Sequence, residues 1–498
     1  MGLTHAVVRR STYRDSVQLM SIAAALESMP GVERAAVVMA TAANVELLVD
    51  LGLPPSAVEG VTPSDLVVAP AATDAASLDA ALQRAQALLE GEPVTQGRPA
   101  DSRPRSLIGA LRLAPAANLA VISTPGPFAA AEALKALKRG LHVFCFSDNV
   151  SLGDEVRLKR VAEQRGLLCM GPDCGTSIID GVPIGFANAT RPGRVGLVSA
   201  SGTGLQEVIC ILDRAGEGVS QAIGVGSRDL HQEVGGAMMR AGLQLLGDDP
   251  ATEVIVLISK PPADSVAAAI VGAAQAVAKP VVVCFLGAEP APTAGTVRLT
   301  ASLAEAAQQA LHVLGRALAQ EDFTPPDGWG AAPAGATPGT IRGLFSGGTL
   351  LCEAERVLRT TGFVEPGANG ANHYQLIDLG DDQYTLGRPH PMIDPRDRAA
   401  RIRAAAEDAS VGVILLDVVL GFGAHPDPAG ALAPAIAPAR AAARAAGRSL
   451  GVVVSVCGTK FDPQGLAEQR AALTAAGAVV TCNVAAAARA AEVLASHG

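Results

Sequence analysis

Short runs of Val, Ile and Leu recur along this chain, and most are separated by ten or more residues of alanine-rich helical period. Val195–Ser199, Val254–Ile258, Val281–Phe285, Val413–Leu416 and Val452–Val456 are apolar almost throughout. A strand with one wet face alternates apolar and polar residues, whereas a strand covered on both faces reads as a continuous apolar run. Parallel neighbours need a crossover of about a dozen residues, which a helix supplies. The alternation therefore predicts an α/β protein with parallel sheets covered by helices. Further strand-like runs lie at Ala6–Arg9, Ala35–Met39, Leu66–Val68, Leu119–Ser123, Val143–Phe146, Gly343–Phe345 and Ala478–Thr481.

Breaks in this rhythm mark joints. Gly91–Pro104 collects Gly, Pro and charge, Arg191-Pro192-Gly193 interrupts briefly, and Pro325–Gly339 is the clearest linker. They predict a small N-terminal α+β unit (1–95), a Rossmann-like domain (105–190) and two further α/β domains (191–320 and 340–498). The chain has 39 Lys+Arg against 48 Asp+Glu, a net charge of −9, and no basic block, which argues against nucleic-acid binding. The longest apolar stretch, Ser265–Ala288, is broken by Lys279-Pro280 and reads as a helix and a buried strand, so no membrane span is expected. The first residues, MGLTHAVVRRSTYRD, lack the apolar core of a secretory signal, and the expected location is the cytoplasm. Eight cysteines stand singly, without metal-ligand spacing, and no metal site is expected. The first strand is not followed by a Gly-rich turn, so a dinucleotide fingerprint is missing where a nicotinamide enzyme carries one.

One pattern repeats where chemistry is expected: an apolar strand, then Ser or Gly with Thr, then a helix. It occurs as VGLVSASGTGLQEV (Val195–Val208) and GLFSGGTLLCEAE (Gly343–Glu355), with a weaker copy in VVVSVCGTK (Val452–Lys460). Small residues let an anion approach the backbone, hydroxyls donate to it, and the unpaired N–H groups of the helix start point at it. Ser201, Gly202 and Thr203, and Ser346, Gly347, Gly348 and Thr349, are thus candidate phosphate or carboxylate cradles, or else plain helix caps. In MGPDCGTS (Met170–Ser177), Gly171, Asp173 and Cys174 form a turn whose backbone is suited to wrap a ligand. With no histidine nearby in sequence, Cys174 reads as a lining residue rather than a nucleophile.

In GRPHPMIDPRDR (Gly387–Arg398), Asp394 is the natural N-cap and Pro395 the first helical residue. Arg388, Arg396 and His390 gather at that helix start, where the arginines suit an oxyanion and His390 suits general acid–base work. His425, in GFGAHPDP, is the alternative histidine.

These motifs carry a resemblance. From Leu119 to about Leu318 the chain resembles the α subunit of succinyl-CoA synthetase, through STPGPF, GPDCGT, PGRVGLVSASGTGLQE, TEVIVLISK and KPVVVCFLG in that order. From Ile341 onward, GLFSGGTL, LIDLG, VGVILLDVVLGFGAHPD and VVVSVCGT resemble the ligase domain of the β subunit. The resemblance implies a CoA-binding-type domain followed by two flavodoxin-like ligase domains. It implies two helix starts facing a shared phosphate, here Ser201–Thr203 and the Asp394 helix, with Glu207 as the glutamate that approaches the reacting group. The synthetases' relay histidine has no counterpart, because no histidine occurs between His231 and His312. STYRDSVQLM, GPDCGTS and HPMIDP extend the resemblance to the FdrA family of acyl-CoA-synthetase-like proteins. That family implies a carbamoyltransferase component: phosphorolysis of a ureido acid, oxalurate, to oxamate and carbamoyl phosphate, with phosphate as co-substrate and separately encoded partner subunits. His390 would supply the proton. The alternatives are an acyl-CoA synthetase subunit, with CoA as a ligand, or a noncatalytic scaffold that binds CoA or an acyl phosphate.

Overall fold

The computed structural model describes residues 3–12, 14, 16–41, 44, 45, 48, 53–90, 104, 106–288, 295–317, 339–365, 372–385 and 389–496. Most of the Gly91–Pro104 joint, nearly all of the Pro325–Gly339 linker, and Arg388 lie outside them. The chain divides into two compact units, one of Met1–Pro115 with Gln383–Pro389 and the other of Ala116–Asp382 with His390–Gly498.

In the first unit, β4 (Leu66–Ala72) is the spine of a four-stranded antiparallel sheet. It pairs with β1 (Leu3–Thr4) and β2 (Val7–Arg9) on one edge and with β3 (Val32–Met39) on the other. Helices α1 (Ser16–Glu27) and α2 (Ala75–Glu90) supply Leu19, Leu26, Ala85 and Leu89 to the core beneath it. A single short helix follows, α3 (Leu107–Leu113), capped by Ser106.

The second unit holds three sheets. Strands β5 (Leu119–Ile122), β6 (His142–Cys145) and β7 (Cys169–Met170) form a small parallel sheet, with α4 (Gly126–Lys138) and α5 (Leu152–Gln164) between them. Next come β8 (Thr176–Ile179), β9 (Val182–Gly185), β10 (Pro192–Ser199), β11 (Val219–Gly224), β12 (Val254–Ser259), β13 (Val281–Phe285) and β14 (Val297–Thr300), in the order β14-β13-β12-β10-β11-β8-β9. The pairs from β14 to β11 are parallel, and the β8–β9 hairpin adds antiparallel. The connecting helices are α6 (Gly202–Arg214), α7 (Ala237–Asp248), α8 (Asp264–Ala276) and α9 (Leu303–Val313). The last sheet is all parallel: β15 (Thr340–Phe345), β16 (Tyr374–Asp378), β17 (Val411–Val419), β18 (Gly451–Cys457) and β19 (Val479–Thr481), ordered β16-β15-β17-β18-β19. Its helices are α10 (Gly348–Thr360), α11 (Arg396–Glu407), α12 (Pro428–Ala445), α13 (Leu466–Ala475) and α14 (Val484–Ser496). Two flavodoxin-like α/β modules thus share the second unit, as the alternation implies.

The apolar runs occupy the sheet centres: all of β12 and β13 is buried, as is β17 but for Gly412. Helix α6 is buried along every residue from Gly204 to Asp213. A helix buried on every side, polar Gln206, Glu207 and Asp213 included, must be covered on every side, and α6 is covered by both modules. Arg214 Nη1 donates to Cys482 O at 2.7 Å, and the thiols of Cys210 and Cys457 lie 3.7 Å apart. One hydrophobic core accordingly runs through both modules, from Val195 and Leu205 to Val453 and Ala488.

Candidate functional site

Both Ser/Gly/Thr turns lie where open parallel sheets place ligands. After β10 the chain adds β11 on one side, then crosses to β12 on the other; β15, β16 and β17 repeat the move. At such reversals the crossovers leave opposite faces of the sheet and open a crevice at the strands' carboxyl ends. Ser201 follows β10 and opens α6, and Ser346 follows β15 and opens α10.

The two turns touch. Ser201 Oγ donates to Thr349 Oγ1 at 2.6 Å and accepts the Gly204 N–H at 3.0 Å. A Cβ on Gly347 would stand 2.6 Å from Thr203 Oγ1 and Cγ2. The two helix starts, one from each module, therefore meet with their unpaired N–H groups and partial positive charge together. From there the contacts continue in a ring. A Cβ on Gly348 would overlap Asp378 Oδ2 and lie 2.7 Å from Lys260 Nζ. One on Gly380 would lie 2.8 Å from His390 Nε2 and 3.2 Å from Asp378 Oδ1. The His390 ring packs on Phe186 with centroids 5.6 Å apart, Phe186 O accepts from Thr176 Oγ1 at 2.7 Å, and that hydroxyl lies 3.1 Å from where Gly202 would carry a Cβ.

His390 enters this ring in a defined state. Its Nδ1 accepts the Met392 N–H at 3.3 Å, which leaves the proton on Nε2, and burial together with the Arg398 cation pushes the imidazole down to about 4. It is a neutral N–H donor at pH 7, not the near-neutral acid that its unperturbed value suggests. As a neutral donor it can still stabilise an oxyanion through Nε2–H. His425 is tied to the same segment: its N–H donates to Met392 O at 2.8 Å, and its Nδ1 accepts from Asp427 N at 3.0 Å.

Several expected site residues are occupied elsewhere. The Ser346 hydroxyl donates to Asp417 Oδ2 at 2.8 Å and its N–H to the same carboxylate, which pairs with buried Arg398 at 2.9 Å; Ser346 shapes the turn and is fully buried. Glu207 is buried, and its Oε1 accepts the N–H of Val484, the first residue of α14, at 2.8 Å. It faces the helix packing rather than a ligand, and it is not an exposed surface carboxylate. Gly171, Asp173 and Cys174 are spent on their own loop. Asp173 N and Cys174 N donate to Ser147 O and Cys145 O, Asp173 Oδ2 accepts from Ser227 Oγ at 2.6 Å, and Gly171 abuts Cys145 O. Burial pushes the Cys174 thiol up to about 12, which suits a lining cysteine and not a nucleophile.

The expected cap at Asp394 is corrected by one residue. Helix α11 begins at Arg396, Pro395 stands in the cap position without a side-chain bond, and the Asp394 carboxylate takes the N–H of Arg396 at 3.1 Å and its guanidinium at 2.6 Å. Asp394 and Arg396 satisfy each other, and the helix start that is seen to meet Ser201–Thr203 is that of α10. The third Ser/Gly/Thr-like copy opens no helix: after Gly458-Thr459 the chain turns, and α13 starts only at Leu466.

Comparison with known proteins agrees with this architecture. Residues 344–494 match the CoA-ligase family, residues 192–319 the succinyl-CoA ligase like flavodoxin domain, and residues 1–104 the "AllF, heavy metal-associated domain". Over 497 residues the chain is 40% identical to YahF of Escherichia coli (strain K12), covering 96% of each protein. The chain belongs to the succinyl-CoA-synthetase-like FdrA family. Within it, the α-like region is 31% identical over 180 residues to the succinate–CoA ligase [ADP-forming] α subunit of Staphylococcus epidermidis, covering 35% of this chain and 58% of that one. It is 31% identical over 153 residues to the mitochondrial α-2 subunit of Trichomonas vaginalis, 47% of that protein. The chain thus spans about half the length of these subunits. A dinucleotide-forming acetyl-coenzyme A synthetase of Ca. Korarchaeum cryptofilum, in complex with phosphate and ADP, aligns over 76% of this chain at 18% identity, with a TM-score of 0.33.

Family membership does not bring a metal site with it. Soft metals need thiolate or imidazole donors, and residues 1–104 contain no cysteine and a single histidine, His5. Among the described residues no group of three or more His, Cys, Asp or Glu side chains is arranged to hold an ion. No helix among them is long and apolar enough to cross a membrane.

Sequence reasoning missed Lys260, Asp378, Thr176 and Phe186. The first two had a signal: Lys260 ends the apolar run of β12 and Asp378 ends β16, and carboxyl ends of strands beside a reversal of strand order are where such sheets bind ligands.

Proposed function

We propose that the chain is an acyl-CoA-synthetase-like enzyme component that holds an acyl phosphate where the starts of α6 and α10 meet. The contact of Ser201 with Thr349, one from each ligase-type module, carries this reading. Two helix starts aimed at one place suit a phosphoryl group, Lys260 adds a cation beside Gly348, and the Nε2–H of His390 is placed to donate to an acyl oxygen as charge develops on it. The chemistry is transfer of the acyl group between phosphate and the thiol of CoA. Sulfur attacks the acyl carbon, the bond from that carbon to the phosphate oxygen breaks, and the thiol proton ends on phosphate. The matches to CoA-ligase families support this reading.

Carbamoyl transfer is the second reading, favoured by the FdrA-family resemblance of STYRDSVQLM, GPDCGTS and HPMIDP and by the absence of any histidine between His231 and His312 to relay phosphate from a nucleotide. Here phosphate attacks the ureido carbon of oxalurate, the C–N bond breaks, and oxamate leaves once its nitrogen gains a proton. The deciding assay offers the full chain acetyl phosphate with CoA, and oxalurate with inorganic phosphate, each with and without the products of its neighbouring genes. Thioester in the first mixture supports the ligase-like reading, and carbamoyl phosphate in the second supports the transferase. Gly347→Ala, which drives a methyl into Thr203, should abolish whichever activity is seen. Full activity in that variant would place the reacting centre elsewhere.

A further inference from the structure

Asp378 and Lys260 flank the start of α10, one from each ligase-type module. Asp378 ends β16, and its Oδ1 accepts the Gly380 N–H at 2.9 Å, which fixes the plane of the carboxylate. The other oxygen, Oδ2, is left turned towards Gly348, where Lys260 Nζ also arrives. We propose that Asp378 is the proton-exchanging residue of this site, passing a proton between its Oδ2 and the phosphate or nucleophile seated at the start of α10, while Lys260 holds the anionic group. The assignment rests on the reading of the site as an acyl phosphate centre and adds the group that reading lacks.

Acyl transfer to a thiol must move one proton. In the forward direction the thiol proton passes to Oδ2 as sulfur bonds to the acyl carbon, and then to an oxygen of the departing phosphate; no oxidant or reductant takes part. Phosphorolysis of an amide needs the same exchange in the other sense, from phosphate to the leaving nitrogen. His390 cannot provide it, since its Nδ1 is engaged by Met392 and its Nε2 already carries the proton. Burial raises the Asp378 carboxyl to about 6; the Gly380 N–H and Lys260 oppose the shift, and Asp417 and Asp381 reinforce it. Of these, Asp417 is itself paired with Arg398 at 2.9 Å. A carboxyl in that range exists in both states near neutral pH, which is what reversible exchange requires.

A dianion arriving beside Oδ2 should raise the Asp378 pKa further, so that binding draws in a proton. The test titrates inorganic phosphate into the full chain at pH 7 by calorimetry in two buffers of different ionisation enthalpy, which counts protons taken up. Phosphate bound as its dianion sheds part of a proton at pH 7 in wild type and variant alike, so the quantity read is the proton uptake of wild type in excess of that of Asp378→Asn. Asp378→Asn, which keeps an acceptor for the Gly380 N–H, should lack that excess uptake and bind phosphate about fivefold more tightly, since a repulsion equivalent to about one pKa unit is removed and wild type relieves only part of it by protonation. Asp378→Glu should restore uptake, and Lys260→Met should weaken binding. Equal uptake in wild type and Asp378→Asn would overturn the proposal. Absence of saturable phosphate binding by wild type would instead overturn the phosphate reading beneath it, and circular dichroism of each variant separates either result from misfolding.

Discussion

His390 shows how a neighbouring backbone N–H sets the chemistry of a side chain. The Met392 N–H on Nδ1 fixes which nitrogen carries the proton, and burial, with Arg398 close by, keeps the imidazole neutral over the whole range in which an unburied histidine titrates. In NMR spectra its ring should titrate with a midpoint near 4 rather than near 6.5. The native chain then binds fewer protons at this residue than the unfolded chain, so its contribution to stability grows as pH rises from about 4 to about 6.5 and is constant above. A midpoint near 6.5 would return His390 to general acid–base work. A sequence that writes His between two prolines announces a rigid loop, but the burial that lowers its pKa, and the Arg398 cation that adds to it from eight residues on, arise only in the folded chain.

At the scale of elements, α6 and α10 are exchanged supports. Glu207 lies four residues after Thr203, and Glu353 four after Thr349. Glu207 accepts the first N–H of α14 in the other module, and the first N–H of α9, at Leu303, faces Glu353 in return. Each helix that opens at the site thus caps a helix of the opposite module one turn further down. Glu207 helps to hold this geometry. Burial raises its carboxyl to about 7, against an ordinary 4.5. The native state therefore retains a proton that the unfolded chain releases, and stability falls as pH climbs between those values. Glu207→Gln keeps the acceptor for Val484 and cannot ionise, so urea unfolding should show it more stable than wild type at pH 8, by about 3 kcal/mol for a shift of that size, with no difference at pH 4. A variant weaker at both pH values would mean that the ionised carboxylate is the stabilising form. Much of this layer was legible beforehand: the paired turns, the apolar helix that follows the first, and the central strands all stand out as patterns. β16 did not, because Tyr374–Asp378 carries polar residues at an edge, and the β8–β9 hairpin hides in a Gly-rich stretch without alternation. Asp378 was missed with the strand that carries it.

Across the whole second unit, the two ligase-type modules are fastened at a second point away from the turns. Asp462 accepts Asn188 Nδ2 at 2.8 Å, Ala189 N at 2.7 Å and Thr459 N at 2.7 Å, and Thr459 Oγ1 donates to Ala189 O. Asp462→Ala would leave three donors without their acceptor in a buried place, at a cost of about 3 kcal/mol. Thermal unfolding should show a lower midpoint in one transition, because the hydrophobic core is common to both modules. An unchanged midpoint would show that water replaces the carboxylate freely. Both modules, and hence both turns, also belong to one polypeptide. Meeting of the turns is then a first-order event within a molecule and not an encounter between two, so dilution cannot pull the pocket apart. The fraction of molecules in which the two turns meet is the same at nanomolar as at millimolar protein, and a change in expression level alters the number of such junctions without altering the geometry of any one of them.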